Sequence, residues 1–111
     1  MSEEQVQQIE LSIQQANLAI GNMVALTKIT NNPEFKKIIL DGYFKEEASR
    51  LVLVKADPTM EDYQDLIDKQ IIGIGQLRQY FATIMALGEQ ARKSIEADQE
   101  TRDELLEEEV A

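Results

Sequence analysis

The 111-residue sequence contains no cysteine, no histidine and no tryptophan, and only two prolines. Without Cys there are no disulfides and no thiolate metal sites, and a reducing compartment is allowed without being required. Without His and Cys, the commonest general base and the best common nucleophile are both missing. The His of a helical Glu-x-x-His di-iron site is missing for the same reason. The expectation is a protein that is not an enzyme and uses no cofactor. No apolar run approaches the ~20 residues of a membrane span. The opening MSEEQVQQIE is acidic and amphipathic, unlike a signal peptide. The chain therefore reads as neither secreted nor transmembrane, with no membrane partner.

Apolar residues make up 43% of the chain, enough for a packed core. The net charge is −10 and unevenly spread. Glu96 to Ala111 holds eight acids against Arg102 alone, while the rest of the chain holds 13 acids and 10 bases. A charge of this sign argues against direct nucleic-acid binding and suits a basic protein surface.

Apolar spacing predicts an all-α protein: a three-helix antiparallel bundle or an elongated coiled-coil-like arrangement, with an acidic C-terminal tail. Ser2 with Gln5 forms a capping-box pattern, and Val6, Ile9, Ile13, Ala16, Ile20 and Met23 follow at three-four spacing. This predicts a helix over about 3–30. Leu11, Leu18 and Ala25 lie on its opposite side, so it should touch two neighbours. Asn32-Pro33 is a cap followed by a first-turn proline and opens a helix over about 33–55. Its stripe is Phe35, Ile39, Phe44, Ala48 and Leu51. Leu51 to Val54 reads as a buried helix end, with a short strand as the alternative. Either Asp57 or Thr59 then caps a third helix over about 60–98.

That third helix carries a heptad. Met60, Ile67, Ile74, Phe81 and Ile95 take one seam position; Tyr63, Leu77, Ile84 and Ala91 take the other. At about 1.5 Å per residue it measures ~58 Å against ~34 Å for the second helix. Part of the seam must therefore find the first helix or another chain. The expectation is a homo-oligomer, with Ile74, Leu77, Phe81 and Ile84 at its interface. Gly73 and Gly75 mark a bend or close packing. The organisation expected is a helical domain over 1–98 and a tail over 99–111, either a fraying helix or disordered. Charged groups stabilise no fold by burial unless paired, so the tail should add little stability.

Other constellations are weak. Glu61, Asp62, Asp65 and Asp68 resemble acids at a helix start, without the calcium-loop spacing. Gly73-Ile74-Gly75 lacks the preceding strand and third glycine of a dinucleotide fingerprint. The lysines around 28–55 are offset by interleaved acids. The tail remains: Leu105 and Leu106 sit in an acidic frame with Glu107, Glu108 and Glu109. It is either a solvating device or the segment that meets a basic, partly apolar groove of a partner.

Three stretches resemble small acidic α-helical accessory proteins of tailed bacteriophages. They are Asn32-Pro33-Glu34-Phe35 through Gly42-Tyr43-Phe44-Lys45-Glu46-Glu47-Ala48-Ser49-Arg50-Leu51, then Ile74 to Phe81, and Glu100-Thr101-Arg102-Asp103-Glu104-Leu105-Leu106. The resemblance implies a phage structural or particle-assembly protein acting through helix-mediated contact with virion proteins. It implies residence in the host cytoplasm or the virion. The alternative is an acidic host-directed inhibitor that imitates nucleic acid or binds a basic host protein.

Overall fold

A computed structural model describes residues 2–110. The elements are α1 (Glu3–Thr30), α2 (Pro33–Phe35), a π-helical run (Lys36–Glu47), α3 (Ala48–Lys55), a 3-10 segment (Pro58–Tyr63) and α4 (Gln64–Val110). α2, the π run and α3 follow without a break, so the described residues form three helices, and they contain no strand. They fall into two compact units: Met1–Ala25 with Ile84–Ala111, and Leu26–Thr83.

In the first unit, the α1 stripe predicted from spacing faces inward. Val6, Ile9, Ile13, Ala16 and Ile20 are half-buried and Met23 is buried. At the start of α1, the Gln5 backbone N–H meets the Ser2 hydroxyl at 3.4 Å. Glu3 and Glu4 occupy the first turn, where the dipole favours acids. On α4 the inward positions are Ile84, Gly88, Ala91, Ile95, Asp98, Arg102 and Leu105. They alternate four and three, the seam of helices packed lengthwise. At Gly88 the two helices come very close. A Cβ there would stand 2.4 Å from the Met23 Cβ, so only hydrogen fits. The Ser12 hydroxyl donates to Asp98 Oδ2 at 2.7 Å, and Arg102 Nη1 donates to Glu10 Oε1 at 2.7 Å. Helix continues to Val110, so the segment after Asp98 is helical. Composition does not reveal this because the inward seam there is polar: Asp98 and Arg102 each meet a partner on α1.

In the second unit, the Asn32 side chain accepts from the Phe35 N–H at 2.9 Å and Pro33 takes the first helical position. The π winding answers a spacing problem. Phe35, Ile39 and Phe44 are four and five apart. At 3.6 residues per turn, Phe35 and Phe44 would lie on opposite sides of the helix. At roughly 4.4 per turn, set by i→i+5 bonds, nine residues close two turns. Both rings then reach Phe81, at centroid distances of 6.2 and 5.6 Å. Gly42 suits the wide turn, since a Cβ there would sit 3.0 Å from the Lys37 carbonyl oxygen.

Leu51, Ile67 and Ile74 form the buried centre of this unit, packed by Tyr43, Phe44, Ala48, Val54, Met60 and Ile71. Leu51 to Val54 is helical and not a strand, but only Leu51 is buried and Leu53 is 73% exposed. Asp57, not Thr59, is the cap. Its carboxylate accepts from the Thr59 N–H at 2.9 Å and the Thr59 hydroxyl at 2.8 Å. Those two bonds hold its pKa below the usual carboxylate range. The cap is therefore complete at neutral pH and lost as pH falls through the lowered value. Met60 (φ −103°, ψ 17°) breaks the helical path, so α4 starts at Gln64 and Tyr63 is exposed, outside the seam. Lys55 pairs with Asp68, and the Gln64 amide donates to the Lys55 and Met60 carbonyls. Gly73 and Gly75 have nothing within 4 Å of a built Cβ, so close packing does not explain them.

Candidate functional site

Among the described residues no group of three or more His, Cys, Asp or Glu could hold a metal ion. Of the four acids at the start of the third helix, Asp68 is spent on Lys55, and Glu61, Asp62 and Asp65 are exposed. No helix among the described residues is long and apolar enough to cross a membrane.

Charge defines the strongest surface. The first unit has 12 acids and three bases, a net −9; the second has nine acids and eight bases, a net −1. The last turn of α4 has no base, although the C-terminal end of a helix dipole favours cations. Arg102 is an internal counter-charge. It bonds Glu10 and lies 3.7 Å from Asp103. The Glu10 hydrogen bond holds its guanidinium more firmly protonated than usual.

The predicted partner-binding residues divide. Leu105 is half-buried and shares a hollow of about 300 Å³ with Gln5, Gln8, Ile9, Ser12 and Asp98. It belongs to the packing of α4 on α1. Leu106 is 41% exposed beside a second hollow of about 300 Å³ lined by Ser2, Glu3, Val6, Gln7 and Glu109. Glu107 and Glu108 are exposed. What stays exposed there is an apolar Leu106 within an acidic rim.

Two of the four predicted oligomer-interface residues, Ile74 and Phe81, pack within the chain. Ile74 is 4% exposed against Leu51 and Ile67, and Phe81 meets Phe35 in a tilted contact and Phe44 edge-on. Leu77 and Ile84 are half-buried. The lengths of the second and third helices suggested an uncovered seam, and the aromatic side chains brought round by the π run cover part of it. Apolar patterning passes over Gly88 and Arg102. Both fall at seven-residue intervals from Phe81 and Ile95, and that spacing is the signal that could have found them.

Comparison with protein-family models, with curated proteins and with solved structures returned no match to this chain.

Proposed function

We propose that the chain is a non-enzymatic structural or particle-assembly protein of a tailed bacteriophage. It works by helix-mediated contact in the host cytoplasm or the virion. The acidic end of its first unit docks on a basic, partly apolar surface of a virion protein. One observation carries this reading: the −9 on one unit against −1 on the other. Like charges gathered in one unit repel, which costs stability, and a basic partner relieves that cost while steering the encounter. Leu106 supplies apolar contact at the centre of the charge. The phage context rests on the resemblance of residues 32–51, 74–81 and 100–106. The same segregation of charge, with acids on both α1 and α4, favours a second reading as an inhibitor of a basic host protein.

The test is capture of partners by the tagged chain from phage-infected cells, identified by mass spectrometry. Capsid or tail proteins, lost when Leu106→Ala is the bait, are the expected result. A host polymerase or nuclease captured through the same residue selects the inhibitor. Capture unaffected by Leu106→Ala moves the contact away from the acidic end.

A further inference from the structure

α1 has a second face, turned to solvent. From Leu11 to Thr27 the helix carries no charged residue, although the unit that contains most of it has a net charge of −9. Leu11, Leu18 and Ala25 recur every seven residues and form one ridge, with Gln14 and Asn22 beside it. Leu18 is 73% exposed, Leu11 is 54% exposed, and Gln14, Asn22 and Ala25 are exposed as well. Single exposed leucines are ordinary. A seven-residue ridge of them in a neutral field is not, because a solvated helix face is normally charged and the centre of an interface is depleted of charge.

We infer that this face joins two copies of the chain, packed antiparallel about a twofold axis at Leu18. Two arguments select a second copy. The first is charge: two chains of −10 repel wherever acids meet, and this stretch brings none together. The second is shape. Antiparallel pairing about Leu18 sets Leu11 against Ala25, Gln14 against Asn22, and Leu18 against itself. Large meets small and amide meets amide, which is the self-complementarity a twofold contact requires. Parallel pairing would set Leu11 on Leu11 and Ala25 on Ala25, crowding one end and leaving a gap at the other. The ridge is ~21 Å long at about 1.5 Å per residue. One helix pair of that length lies at the small end of specific interfaces, below ~1,200 Å² in total. The dimer is therefore reversible. Higher salt screens the repulsion between copies and tightens it. The inference rests on the reading of the chain as a helix-mediated contact protein and adds the contact it makes with itself.

The chain has no cysteine, so single-cysteine variants report cleanly. Under mild oxidation Leu18→Cys forms a disulfide-linked dimer. Leu11→Cys alone does not, because its two copies stand ~21 Å apart along the axis. An equimolar mixture of Leu11→Cys and Ala25→Cys gives the mixed dimer. In sedimentation equilibrium the wild type rises from 12.6 kDa towards twice that mass with concentration, and further in high salt. Leu18→Glu stays monomeric with an unchanged helical circular dichroism spectrum. A wild type that is monomeric at every concentration and salt overturns the dimer, as does self-linking of Leu11→Cys at the rate of Leu18→Cys. Neither result touches the acidic end, whose partner is read through Leu106.

Discussion

Gly88→Ala lowers the stability of the protein by about 1–3 kcal/mol, the cost of forcing extra volume into a packed contact. In an isolated helix the same change would stabilise by about 0.8–1.0 kcal/mol, because alanine is the better helix former. The sign is reversed by one distance. The added Cβ would meet the Met23 Cβ at 2.4 Å, and that atom is fixed to the backbone of α1, so the helices must part. Gly75→Ala is the internal control. Its Cβ meets nothing within 4 Å. That substitution raises stability by roughly 0.5–1 kcal/mol. Thermal melts of the two variants followed by circular dichroism should move in opposite directions. Both moving upward would mean that α1 and α4 do not approach at Gly88.

Ile74→Ala has the largest effect, a loss of about 2–5 kcal/mol, the range for truncating a buried aliphatic side chain to alanine. Ile74 is one of three residues at the buried centre of its unit, and the ring of side chains around them is only partly buried. A centre this small has little else to rely on. The Leu53 side chain, by contrast, is 73% exposed. Leu53→Ala therefore shifts stability by about 0.5 kcal/mol at most, as surface changes do. Equal chemical-denaturation midpoints for the two variants would place the centre of the unit elsewhere.

Apolar spacing makes most of the helical architecture legible. The α1 stripe from Val6 to Met23 faces inward and Asn32 caps its helix, because both depend on local pattern. Gly88 and Arg102 are not legible by the same means. They occupy seam positions, but one has no side chain and the other is charged, so hydrophobic periodicity passes over them. The partner that explains each, Met23 or Glu10, lies on the first helix, far away in sequence. The π run is visible only as the wide step between Ile39 and Phe44, which a broad α-helical stripe also absorbs. Its reason is Phe81, again a tertiary partner. Composition makes the acidic C-terminal segment a tail, since acids alone do not build a core. The rule holds, but Leu105 and the pairs made by Asp98 and Arg102 dock the segment on α1. What stays outside, Leu106 with Glu107 and Glu108, is a smaller and better-defined surface than the acidic run as a whole.

The acidic end as a docking surface is the central claim, and the salt dependence of binding tests it most directly. The measurement is the affinity of the protein for its captured partner from low to high ionic strength, for the wild type and for the variant Glu107→Lys with Glu108→Lys. Lysines in the last turn suit the helix dipole, so loss of helix cannot explain lost binding. Binding of the wild type should weaken steeply as salt rises, because exposed charges are screened within ~8 Å at physiological ionic strength. The variant should bind more weakly at low salt and respond less to added salt. An affinity and a salt slope equal to those of the wild type would contradict the claim.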